Sequence, residues 1–205
     1  EEQIIRRGLN DSRIIEAIMR VDRRKFVTDA EEAFAYEDRP LPIGCKQTIS
    51  QPYIVALMTH ELSPSKTDRV LEIGTGSSYQ TAILAELADK VYTVERIESL
   101  AITAKQRLSA LGYSNVHFCI KDGSIGWIEE RPFDHIMVTA ASPEIPKLLV
   151  DQLKIGGRLV IPVGARMSQV LKVVTKKRDN NLKIVNRGRC IFVPLVGREG
   201  YQNVG

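Results

Sequence analysis

The sequence predicts an α/β fold: a mostly parallel central sheet with helices on both faces, an N-terminal helical extension and antiparallel strands near the C-terminal end. Three observations carry that expectation. From Arg69 to Gly164, short β-branched runs alternate with helical stretches, the pattern of strand–helix–strand units. The first run ends in a Gly-x-Gly turn, Gly74 and Gly76, that opens a helix. After Gln169 the texture changes to two adjacent strand-like runs turning at "RDNN", as a hairpin does.

In chain order, "DSRIIEAIMRV" places Ile14, Ile15, Ile18 and Met19 at helical spacing, with Asp11 and Ser12 as cap candidates. The stretch "AFAYEDRPLPIGCKQTISQP" reads as loop, and "YIVALMTHEL" as a helix broken by "SPSKTD". Strands then follow at "RVLEIG", "KVYTVE", "VHFCIKDG", "FDHIMVTAA" and "GGRLVIPVG". Between them lie helices at "SSYQTAILAELA", "ESLAITAKQRLSALG" and "PEIPKLLVDQL". At 205 residues a single domain is expected: N-terminal helices and a polar loop over 1–66, a ligand-binding core over 67–165 and C-terminal strands over 166–205.

Composition narrows the class. Hydrophobic residues at 43% and charged residues at 26% suffice for a packed core. No apolar run is long enough to span a membrane, and "EEQIIRRGLNDSR" does not read as a signal peptide. Cys45, Cys119 and Cys190 are widely spaced, which argues against a disulfide framework or zinc site and for a reducing cytoplasm; no metal is expected. Net charge is +4, with basic clusters at "RVDRRK", "TKKRD" and "RGR". Such clusters suit an acidic partner or, equally, solvated helix ends and turns.

The glycine turn carries the chemistry. Gly74 and Gly76 sit where open α/β sheets bind ligands. Tyr79 stands where the dinucleotide fingerprint needs its third glycine, which disfavours a nicotinamide-dependent oxidoreductase. Glu72 precedes the first glycine, and a carboxylate there repels a pyrophosphate but suits a cation such as the sulfonium and ammonium of S-adenosylmethionine. Glu95 closes the second strand, placed to accept from ribose hydroxyls; Asp122 and Gly123 close the third, placed to bracket an adenine.

The motifs "PLPIGCKQTISQPYIVALMTHEL", "VLEIGTGSSYQTAILAEL", "FDHIMVTAASPEIP" with "LKIGGRLVIPVG", and "FVPLVGREGYQ" resemble the protein-L-isoaspartate O-methyltransferase family over nearly the whole chain. The resemblance implies a Rossmann-like class I methyltransferase fold. It implies methyl transfer from S-adenosyl-L-methionine to the free α-carboxylate of isoaspartyl residues in damaged proteins and peptides, leaving S-adenosyl-L-homocysteine. No obligate nucleic acid or membrane partner is implied.

The donor would be held by Glu72, the turn Gly74, Thr75, Gly76 and Ser77, by Glu95 with Arg96, and by Asp122 with Gly123. The substrate would be held by Gln47, Thr48, Ile49 and Ser50 and by Val193, Pro194 and Leu195, with Ser50 and Thr48 as the catalytic pair. The family usually has glycine where Ser78 and Lys46 stand; a side chain at Ser78 is expected to crowd the donor, or to be strained if φ there is positive.

The polar loop then has a reason. An isoaspartyl carboxylate is already ionised at neutral pH, so it needs fixed donors that strip its water and aim it, not a general base. The Thr48 and Ser50 hydroxyls and the backbone amides of Val193–Leu195 are the expected donors. His60, His117 and His135 lie in no motif that suggests a base. Two alternatives stay open: a degenerate, non-catalytic binder of modified proteins, and a methyltransferase with another acceptor such as nucleic acid. The latter lacks an Asn/Asp-Pro-Pro-aromatic loop, having "TAASPEIP" after the fourth strand.

Overall fold

The computed structural model describes residues 2–202; residue 1 and residues 203–205, the outer ends of the expected 1–205 unit, lie outside them. Two helices, α1 (Glu2–Ile5) and α2 (Ser12–Arg20), precede a small antiparallel hairpin, β1 (Leu41–Gly44) and β2 (Gln47–Ile49). Helix α3 (Pro52–Leu62) then leads into the alternating units β3 (Arg69–Ile73), α4 (Tyr79–Leu87), β4 (Lys90–Glu95), α5 (Glu98–Ala110) and β5 (Val116–Ile120). The chain continues through β6 (Phe133–Val138), α6 (Lys147–Asp151), β7 (Leu153–Ala165), β8 (Ser168–Lys176) and β9 (Leu182–Cys190).

The main sheet has the order β5-β4-β3-β6-β7-β8-β9. Its first five strands are parallel, and β8 and β9 add on antiparallel. Chain order reverses between β3 and β6, so a crevice opens at their carboxyl ends.

Strand alternation sorts the core. Leu71 and Ile73 face one side with Tyr92, Val94, Ile136 and Leu149; Val70 faces the other with Met58, Leu84, Val91 and Met137. Helices α3 and α4 cover this second side, and α4 is buried nearly all round because α2 packs on its outer face. Asp11 caps α2 by accepting from the Arg13 amide at 3.1 Å.

Two sequence expectations are corrected. The 33–52 stretch is not all loop: it holds the end of a 3-10 turn (Asp29–Phe34) and the β1–β2 hairpin. The hairpin turn is Cys45–Lys46, both at positive φ (52° and 56°), as a two-residue type I′ turn requires, yet without the Asn-Gly that usually signals one. The "PEIPKLLVDQL" helix shortens to Lys147–Asp151, because Ser142 pairs with Val163 and Pro146 serves as the cap. The last hairpin strand stops at Cys190, and residues 191–195 leave the sheet and cross to the crevice.

Candidate active site

The cleft at the crevice has a volume of about 280 Å³. One side is the turn Gly74–Ser77 with Glu95, Arg96 and Gly123; the facing side is the hairpin segment Cys45–Ser50; Val193–Val196 form a third wall. The fold thus gathers Gln47, Thr48, Ile49, Ser50, Gly74, Thr75, Gly76, Ser77, Glu95, Arg96, Gly123, Val193, Pro194 and Leu195 around one space.

Gly74 is required by close approach: at φ 98° a Cβ there would sit 2.4 Å from Thr139 Oγ1. The Thr139 hydroxyl donates to Gly74 O at 2.7 Å, tying the turn to the end of β6. Ser77 O is held from the other side by Arg107 at 2.8 Å, and burial pulls the Arg107 guanidinium down from its usual value. The turn is fixed before any ligand arrives.

The three acids part company. Glu95 lines the cleft and accepts from the amides of Gly76 (3.0 Å), Arg96 (2.8 Å) and Ile97 (2.9 Å), which fixes its carboxylate against the turn. Glu72 does not line the cleft. Strand alternation turns it with Val70 toward α4, where its Oε2 accepts from Thr81 (2.6 Å) and Thr93 (2.7 Å) and its Oε1 has no partner among the described residues. Burial raises its pKa to about 7, against those two hydrogen bonds. The expectation of a Glu72 carboxylate facing the donor's cation is therefore corrected.

Asp122 follows the carboxyl end of β5, next to the cleft-lining Gly123. Its Oδ1 accepts from Ser124 N (2.9 Å) and Oγ (2.7 Å), and its Oδ2 from Arg198 N (2.8 Å); only its neighbour Gly123 lines the cleft.

Thr48 and Ser50 line the cleft, and among the described residues neither hydroxyl has a hydrogen-bond partner. The backbone donors differ from expectation. Leu195 N is spent on Ala141 O at 2.7 Å and Pro194 has no N–H, whereas Val193 N and Val196 N have no partner among the described residues. Ser78 does not crowd the cleft, being fully buried behind it, but its φ of 67° realises the expected strain.

Lining residues that the sequence reading missed include Thr139, at the end of the fourth strand, and Tyr79. The signal for Thr139 was its place beside the glycine turn across the sheet, which depends on strand order. Tyr79 read only as a failed glycine; its ring packs edge-on to Phe26 at 5.4 Å with Arg23 over its face. Trp127 packs edge-on to Tyr92 and does not line the cleft. Neither does any of the three histidines. Three of the four cations in the "RVDRRK" cluster are engaged within the fold: Arg23 is buried and donates to Ala35 O, Arg24 pairs with Asp22, and Arg20 with Glu86. Among the described residues no group of His, Cys, Asp or Glu could hold a metal ion.

Residues 2–200 match the family model for Protein-L-isoaspartate(D-aspartate) O-methyltransferase. A Geobacter metallireducens protein named protein-L-isoaspartate O-methyltransferase is 58% identical, covering 98% of this chain and 93% of its own. A solved structure of the same name superposes with a TM-score of 0.86 at 30% identity, covering 96% of this chain and 65% of that longer one. A Plasmodium falciparum chain carrying that name, in complex with S-adenosyl-L-homocysteine, superposes with a TM-score of 0.83 at 27% identity over 95% of both chains. With the match spanning residues 2–200, the chain belongs to the protein-L-isoaspartate(D-aspartate) O-methyltransferase family.

Proposed function

We propose that this chain is a protein-repair enzyme that transfers a methyl group from S-adenosyl-L-methionine to the free α-carboxylate of L-isoaspartyl residues. The observation that carries this reading is the placement of two unpaired hydroxyls, on Thr48 and Ser50, across one cleft from the Gly74–Ser77 turn and Glu95. Family membership supports the donor and the acceptor.

The residues present fit the donor. The turn is side-chain-free at Gly74 and Gly76, and Glu95 keeps acceptor capacity beside its three amide bonds for a sugar's hydroxyls. Arg96 and Thr75 complete that wall, with Ser77 and Gly123 at its ends. When bound, the donor supplies an electrophilic methyl group on a sulfonium. Everything else falls to the protein's own side chains.

The acceptor carboxylate has a pKa of about 4 and is ionised at neutral pH. Direct attack therefore needs no general base, in keeping with a lining free of histidine. Thr48 and Ser50 replace part of the carboxylate's water with neutral hydroxyl donors, which orient it without neutralising it. Gln47, Ile49, Pro194 and Leu195 line the path of the substrate backbone. The methyl ester carries a better leaving group than the carboxylate, so the following main-chain amide closes a succinimide unaided, and hydrolysis returns part of it to normal aspartate.

The partners in this reading are isoaspartyl proteins and peptides, with no obligate nucleic acid and no membrane. Three free cysteines support a cytoplasmic site of action, and among the described residues no helix is long and apolar enough to cross a membrane. The test is to incubate the protein with an aged, isoaspartate-containing protein and methyl-labelled donor, then apply mild base. Volatile labelled methanol is expected from an ester; label that withstands base would point to another acceptor.

A further inference from the structure

We propose that a second cavity, between α1, α2 and the start of α3, binds a small organic monocarboxylate through the buried guanidinium of Arg23. The cavity has a volume of about 620 Å³ and, among the described residues, shares only Tyr79 with the methyl-transfer cleft. Its walls are largely apolar, with Ile4 from α1, Ile18 and Met19 from α2, Val21, and Pro52 from the start of α3. Met19 and Tyr36, 60% and 58% exposed, form its mouth.

Arg23 is the residue there whose bonding the fold leaves incomplete. It is 1% exposed; its Nε donates to Ala35 O at 2.7 Å, and its guanidinium lies 4.9 Å from the centre of the Tyr79 ring. Those contacts fix the plane of the group. Its terminal nitrogens, Nη1 and Nη2, are buried and have no hydrogen-bond partner among the described residues. Burying a cation's donors unpaired is costly. Burial pulls the Arg23 pKa down to about 10, which still leaves it charged at neutral pH. The nearby acids are engaged elsewhere: Asp38 with Arg7 at 2.7 Å, Glu2 with Arg6 at 2.8 Å, and Asp22 with Arg24 at 2.9 Å and the Tyr36 hydroxyl.

The two unpaired nitrogens form a planar fork, the geometry that takes both oxygens of one carboxylate. One negative charge balances one guanidinium, whereas a phosphate dianion would overshoot it beside Asp38 and Glu2. The apolar walls suit a hydrocarbon body behind the head. Because both nitrogens are shielded, the ligand reaches them by displacing the Met19 side chain, which is unbranched, flexible and mostly exposed.

The experiment titrates the full chain with para-fluorobenzoate, followed by fluorine NMR, with saturating S-adenosyl-L-homocysteine present to keep the methyl-transfer cleft filled. Saturable binding is expected, with a nuclear Overhauser contact from the ring protons to the Met19 methyl group. Two controls separate head from body: para-fluorobenzamide has the same shape without the charge, and inorganic phosphate has charge without an apolar body. Each is expected to bind at least about tenfold more weakly. Arg23→Lys keeps the charge and loses the fork; it is expected to weaken para-fluorobenzoate about tenfold and leave the S-adenosyl-L-homocysteine Kd within about twofold. No saturable binding up to about 10 mM would overturn the proposal, as would equal affinity for acid and amide or a preference for phosphate. Binding seen only without S-adenosyl-L-homocysteine would place the probe in the methyl-transfer cleft and overturn it too. Should Arg23→Lys not fold, the amide comparison and the Met19 contact decide the matter on the unaltered protein.

Discussion

Thr75 Oγ1 lies 2.6 Å from Thr93 Oγ1, and this contact joins the cleft to a buried carboxylate. When Glu72 is ionised, Thr93 gives it its one hydroxyl hydrogen, and Thr75 is then the donor to Thr93. The order of donation fixes the rotamer of a cleft-lining threonine from below. Glu72 therefore acts on the site through Thr93 and Thr75 and not by facing a ligand.

That burial makes stability depend on pH. With its folded pKa raised from an ordinary 4.5 to about 7, Glu72 is protonated in the folded state where the unfolded chain has ionised it. The folded state binds more protons, so this group's contribution is complete below the unfolded pKa and is lost as pH rises through about 7. Glu72→Gln removes the loss. Urea unfolding at pH 5 and pH 8 is expected to shift the stability difference toward the Gln variant by ~3 kcal/mol at most. A difference independent of pH would show that Glu72 is ionised at both.

Ser78 and the hairpin turn Cys45–Lys46 hold left-handed backbone without glycine. Ser78→Gly is expected to stabilise the fold by about 1 kcal/mol, read as a higher urea midpoint at unchanged slope. The Ser78 hydroxyl donates to Ser77 O, so a lower midpoint would mean that this bond outweighs the strain. Exchanging Cys45–Lys46 for Asn-Gly is expected to raise the midpoint by a similar amount.

The unpaired hydroxyls make a kinetic prediction. Thr48→Ala and Ser50→Ala are each expected to lower kcat/KM for an isoaspartyl peptide by roughly tenfold or more, the cost of one hydrogen bond to a carboxylate. S-adenosyl-L-homocysteine affinity, measured by calorimetry, should change little. Two variants within twofold of the unaltered protein would remove the hydroxyls from the mechanism.

The strand–helix alternation and the glycine turn were legible because both are local. Period and β-branching mark β3 to β7, and Gly74 is forced by its neighbour. What escaped was whatever depended on which way a side chain faces. Glu72 looked like a ligand because its position along the strand was right, but alternation sends it to α4 with Val70. Asp122 stands at the expected strand end, and its carboxylate also accepts from the Arg198 amide, 76 residues along the chain, a contact that no local pattern announces. The β1–β2 hairpin was hidden because Cys-Lys carries no turn signal. Ser50 and Thr48 were found only through the family motif around them, since a polar loop has no periodicity to read.

The most direct measurement offers the protein two peptides that differ only in having isoaspartate or normal aspartate at one position, with methyl-labelled S-adenosyl-L-methionine. Base-labile label on the isoaspartyl peptide alone is the result this account predicts. Equal labelling of both peptides, or of neither, would contradict it.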